Sequence, residues 1–195
     1  MIKKIENVAK KYYSKLPYHN WNHAKKVRSN ALELVERCRK YKVPVDSEVV
    51  EIAALFHDAG YADVKENKEE HSAKIARKAL KKYKYPDSKI KAVINTILAT
   101  KKNGQLKTNE QKIMRAADLR SFTSSFKEFK KASDKIRREY KILYGNSDFP
   151  LKGWTELVDA YLKPKIKLTP EYSSDKFHTK AKNNIKRILR EYKKT

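Results

Sequence analysis

The chain has one cysteine, four glycines and six prolines in 195 residues, and each scarcity removes a class of explanation. A lone Cys38 cannot build a disulfide framework, which suits a reducing cytosol. Its spacing from Leu34 and Val35 sets it on an apolar helical face, as a buried and inert thiol. Few glycines and prolines, beside many Ala, Leu, Ile, Lys and Glu residues, leave helices joined by short connections as the favoured architecture. Long hydrophobic runs are missing too. The most apolar window, Val49 to Phe56, is interrupted by Glu51 and is far too short to span a bilayer. The opening "MIKKIENVAKKYY" carries charges every few residues and has no apolar leader core, so the expected location is cytoplasmic. There is no internal repeat and no low-complexity linker.

What is abundant is positive charge. Lys and Arg total 47 against 23 Asp and Glu, a formal net charge of +24. Lysines outnumber arginines by 37 to 10 and are spread along the whole chain. Forked, bidentate gripping of phosphates or bases favours arginine, so most of this charge reads as solvated surface. It suits a small anionic, phosphate-bearing substrate, and it leaves non-specific nucleic-acid binding at low salt open. Nothing in the sequence fixes an oligomeric state.

Hydrophobic residues make up 39% of the chain, enough for a real core, and the length suits one domain. Residues 2–15 read as an amphipathic helix ended by Pro17. A second begins near Asn20, a good N-cap, and runs to about Lys40 with Val27, Ala31, Leu34, Val35 and Cys38 on one face. "DSEVVEIAALFHDAGY" reads as a buried helix capped by Asp46 or Ser47 and stopped by Gly60. "KEEHSAKIARKALKKY", "PDSKIKAVINTILATKK" and "EQKIMRAADL" supply three more. The segments "FKEFKKASDKIRREYKILY", "PLKGWTELVDAYLKP" and "SSDKFHTKAKNNIKRILREY" supply the last three. No stretch alternates with period two. The expectation is an all-α single domain over residues 1–195, with helices from about 123 onward packing on its core.

Against that background, three segments put ligand-type polar residues where apolar ones are expected. They are His19 and His23 in "YHNWNHAKKV", His57-Asp58 closing "IAALFHDAG", and Asp118 in "IMRAADLRSF". Charge in such positions is costly unless it is paired or metal-bound. Two imidazoles and two carboxylates form a mixed N/O set suited to Mn, Mg, Co, Ni, Fe or Zn. Spread over three helices, they would leave coordination positions open, as a hydrolytic metal site requires.

The order His23, His57-Asp58, Asp118, with "NHAKKV", "AALFHDAGY", "EEHSAKIA" and "RAADL" around it, resembles the HD superfamily of metal-dependent phosphohydrolases. "KIRREY" and "AKNNIKRIL" are similar to the C-terminal helices of a bacterial branch of predicted HD phosphohydrolases. The resemblance implies an HD-type helical bundle in which His23, His57, Asp58 and Asp118 hold a divalent ion. A water on that ion would attack phosphorus, with Asp58 also orienting it. The first segment is similar to the "YHNxxHAxxV" motif of class I cyclic-nucleotide phosphodiesterases, which implies His19 as proton donor to the leaving oxygen. The alternative is that His19 packs at the helix entry or supports His23.

The departures from that family matter as well. Tyr61 stands where those phosphodiesterases carry a further histidine and the deoxynucleotide monophosphatase branch a glutamate. A second metal of the phosphodiesterase type is therefore not expected from that position. His71, Thr100, Lys101 and Arg137 are the candidates for substrate binding, Arg137 reaching phosphate or pairing with Glu139. His178 reads as structural. Two rival functions use the same residues: a di-iron oxygenase, which needs extra histidines, and a basic nucleic-acid-binding protein with a vestigial site.

Overall fold

In the computed structural model, residues 1–145 and 165–192 are described, and the expected helix "PLKGWTELVDAYLKP" lies outside them. The order is α1 (Ile2–Lys10), α2 (Trp21–Lys40), α3 (Ser47–Phe56), α4 (Lys68–Lys82), α5 (Asp87–Leu98) and α6 (Asn109–Asp118). A 3₁₀ turn (Leu119–Thr123), α7 (Phe126–Tyr144) and α8 (Asp175–Tyr192) follow. Among the described residues there is no strand, only an isolated bridge between Lys167 and Ser173. The all-α bundle expected from the sequence is what forms.

The central element is α3, whose residues from Val49 to Phe56 are buried apart from Glu51. Each large aliphatic or aromatic side chain removed from water there contributes about 1.5–3 kcal/mol. Helix α2 lays Ala24, Val27, Ala31, Leu34, Val35 and Cys38 against it, the i, i+3, i+4 stripe read from the sequence. Helices α1, α5 and α6 also pack on α3. A second apolar cluster joins Phe129 of α7 to Ala181, Ile185 and Ile188 of α8, with Leu119 and Phe122 of the 3₁₀ turn against it. No helix among the described residues is long and apolar enough to cross a membrane.

Helix ends differ from the sequence reading where tertiary contacts intervene. Helix α1 stops at Lys10, not 15, and Tyr13 instead turns inward: its hydroxyl donates to the Leu55 carbonyl at 3.1 Å and its ring tilts on Trp21. Helix α3 stops at Phe56, and His57 to Asp63 continue as i→i+3 turns. Gly60 explains that change of course, because its N–H donates to Ser72 Oγ at 3.1 Å and ties the turn to α4. Helix α5 ends at Leu98 because the buried Arg115 guanidinium captures the carbonyls of Ala99 (2.8 Å) and Lys101. A Cβ at Gly104 would lie 2.6 Å from both the Leu98 and Ala99 carbonyl oxygens, so only glycine lets the chain cross that helix end.

Candidate metal centre

Asn20 begins the site. Its side chain accepts from the N–H groups of Asn22 and His23 at 2.9 and 3.2 Å, and its amide donates to the Leu16 carbonyl at 2.7 Å. A cap of this kind is worth about 1 kcal/mol, and here it also fixes the first turn of α2, from which His23 projects.

Opposite His23 stand His57 and Asp58 from the turn after α3, and Asp118 from the last position of α6. His57 Nε2 is 3.3 Å from His23 Nε2 and 2.9 Å from Asp58 Oδ2. Asp118 Oδ1 lies 3.3 Å from His23 Nε2 and 3.6 Å from His57 Nε2. His23, His57 and Asp58 each offer a ligand atom within 4.8 Å of the others. Their placement follows from packing, since α2, α3 and α6 all contact one another.

The protonation logic of this cluster asks for a cation. His57 Nδ1 is 2.9 Å from the Ala54 carbonyl and so must carry its hydrogen. In the neutral ring Nε2 is then a bare lone pair, facing a second imidazole and two carboxylates. Asp58 Oδ2 is buried and, among the described residues, has no hydrogen-bond partner despite its proximity to both rings. Burial opposes charge on His57, but Asp58 and then Asp118 outweigh it and hold its pKa well above the ordinary value. Burial lowers the pKa of His23. For Asp58 and Asp118 burial is again the largest influence and raises the pKa, yet the facing imidazoles together reverse it and keep both carboxyls below the usual range. Three N and O donors, with Asp118 beside both imidazoles, thus converge on a point that attracts positive charge, and the set fits a divalent ion of the Mn, Mg, Co, Ni, Fe or Zn group.

His19 sits beside this cluster and belongs to a different arrangement. Its Nδ1 bonds Glu139 Oε1, while the backbone N–H groups of Tyr18 and His19 donate to Glu139 Oε2 at 2.9 and 2.8 Å. Tyr61 stacks on its ring at 3.7 Å between centroids and 15° between planes, and Lys68 Nζ lies over Tyr61 at 3.6 Å. Glu139 is 2% exposed. Burial raises its pKa, but the hydrogen bond and charge of His19 reverse this and keep it ionised.

The remaining candidates are placed differently. His71 packs its ring against Gly60, where an added Cβ would meet its Cδ2 at 2.2 Å, and its Nε2 is 3.3 Å from Asp63 Oδ2. Thr100 is buried and donates to the Ile97 carbonyl at 2.8 Å. Lys101 pairs with Glu70. Arg137 lies over the Tyr192 ring at 4.0 Å instead of pairing with Glu139. Two residues apart on a helix is about 200°, so Arg137 and Glu139 face opposite ways.

A cavity of about 320 Å³ opens over His23 and Asp118, and its cations among the described residues are Lys26, Lys131 and Lys135. Those lysines had no distinguishing mark in the sequence, and Glu139 stood out there only as a partner for Arg137. An acid in "IRREY" was visible, but its partner lies 120 positions away.

Residues 20–122, more than half of the chain, match the family model described as HD domain. No curated protein and no solved structure matches the chain.

Proposed function

The chain belongs to the HD-domain family, and from that premise we propose that it hydrolyses a phosphate ester of a nucleotide or a related small anion. The convergence of His23, His57 and Asp58, with Asp118 at 3.3 Å from His23, is the observation that carries this reading. A divalent ion held by those four residues supplies a Lewis acid that brings the pKa of a water toward neutrality and offsets charge on the phosphoryl oxygens.

The chain's own groups supply the rest. Asp58, ionised and buried, accepts a hydrogen bond from the attacking water and aims it at phosphorus. Lys26, Lys131 and Lys135 line the cavity over His23 and Asp118 and draw the anionic ester in. Attack breaks the ester P–O bond, and the leaving oxygen needs a proton. With Nδ1 of His19 engaged by Glu139, Nε2 is the atom that holds and delivers it. The Tyr61 stack keeps the ring plane fixed while it does so.

A screen of nucleoside monophosphates and cyclic nucleotides with Mn, Mg, Co and Ni, run beside His57→Ala, tests the proposal. Turnover with at least one ion, lost by about a hundredfold or more in the variant, is expected. Turnover that survives His57→Ala would sink the mechanism.

A further inference from the structure

The cavity over the metal centre does not end there. Lys26, Asn30, Ser121, Ser124 and Glu128 line it and also line a second cavity of about 610 Å³. The two are contiguous, and the larger extends between α2, the 3₁₀ turn and α8. Its apolar lining comes from Leu34, Ala116, Leu119 and Ile166. Among the described residues its charged lining is four cations, Lys26, Arg37, Arg120 and Lys180, against the carboxylates Glu33 and Glu128.

Two of those cations are held in position without any ligand. Arg37 and Arg120 both bond Glu33, at 2.7 and 2.5 Å, so one carboxylate steadies two guanidiniums that keep further donors. Among the described residues, Lys26 and Lys180 form no ion pair. The described residues of the chamber therefore carry a surplus of positive charge next to an apolar wall, which suits a ligand with a flat or apolar body and an anionic group. A mononucleotide has one phosphate. With that phosphate at the metal centre, nothing of it would answer the arginine pair.

On the reading that this centre hydrolyses phosphate esters, we infer that the substrate is a nucleotide carrying a second phosphate. The scissile ester lies at His23 and Asp118, and the second phosphate lies in the adjoining chamber at Arg37, Arg120 and Lys180. The placement agrees: Lys26, Asn30, Ser121, Ser124 and Glu128 are common to both cavities, so the arginine chamber opens beside the one over His23 and Asp118. The second anion site thus adjoins the first. A nucleoside 3′,5′-bisphosphate and a 5′-phosphorylated dinucleotide both present that chemistry.

Calorimetric titration of the Mn²⁺-supplemented full-length protein separates the cases. The ligands are AMP, adenosine 3′,5′-bisphosphate and pApA, each with the scissile ester oxygen replaced by methylene so that it binds without turnover. At least one two-phosphate ligand binds about tenfold more tightly than the AMP analogue, and Arg120→Gln and Lys180→Gln each remove that advantage. Both side chains are exposed, so the substitutions leave the core intact. The ligand showing the advantage tells whether the second phosphate sits on the same nucleoside or the next. Equal affinities for one- and two-phosphate ligands, or an advantage untouched by both substitutions, overturn the inference. Failure of the phosphohydrolase reading would show separately, as absent turnover in the screen with unmodified nucleotides, while these affinities still decide the chamber.

Discussion

Glu139 organises a histidine whose role the sequence left divided. Its two oxygens take three bonds from the Tyr18–His19 segment, so a single buried carboxylate sets both the backbone entry to α2 and the tautomer of His19. Its folded pKa is depressed. A depressed carboxylate pKa adds stability that is fully present above the unfolded value of about 4.3 and is lost as pH falls through the folded value. Glu139→Gln should therefore melt well below the parent at pH 7, and the gap should close as pH drops below about 4.3. Thermal melts of both proteins from pH 3 to 7 check this; a gap independent of pH would remove the ionic role. At this scale the candidate metal residues were legible because polar side chains interrupt apolar helical faces, which a sequence shows directly. Glu139 was not, since an acid on a charged helix looks the same whether it meets water or a histidine 120 residues away.

The turn between α3 and α4 carries His57, Asp58 and Tyr61, and its course depends on two close approaches. Gly60 donates to Ser72 Oγ, and its bare Cα lets the His71 ring and Ile75 pack against it. His71 thus earns a definite structural place beside the metal residues. Gly60→Ala sets a Cβ 2.2 Å from His71 Cδ2 and 3.0 Å from Ile75 Cδ1, which should cost about 1–3 kcal/mol. Adding His71→Ala should return much of that loss, because the two contacts are coupled. Denaturant unfolding of the single and double variants gives the answer, and additive losses would contradict the packing described. Helix identities were legible at this scale from the 3.6-residue stripes and the caps, Asn20 and Asp46 among them. The ends of α1, α3 and α5 were not, because contacts with other elements set them: Tyr13 with Leu55, Gly60 with Ser72, and Ala99 with Arg115.

The whole molecule brings together what no single stretch contains. The matched family segment ends at residue 122, yet α7 supplies Glu139, Lys131 and Lys135, and α8 supplies Lys180 to the adjoining chamber. The second apolar cluster, centred on Phe129 and Ile188, anchors both helices against the 3₁₀ turn that follows Asp118. The +24 charge looked dispersed in sequence, and folding places part of it around the two cavities. The claim on which everything else rests is that His23, His57, Asp58 and Asp118 form one divalent metal centre. Isothermal titration of the protein with Mn²⁺, beside His57→Ala and Asp118→Ala, tests it most directly. Saturable binding to the parent is expected, with an affinity lower by about a hundredfold or more in each variant; equal Mn²⁺ affinity in all three proteins would rule out a shared centre.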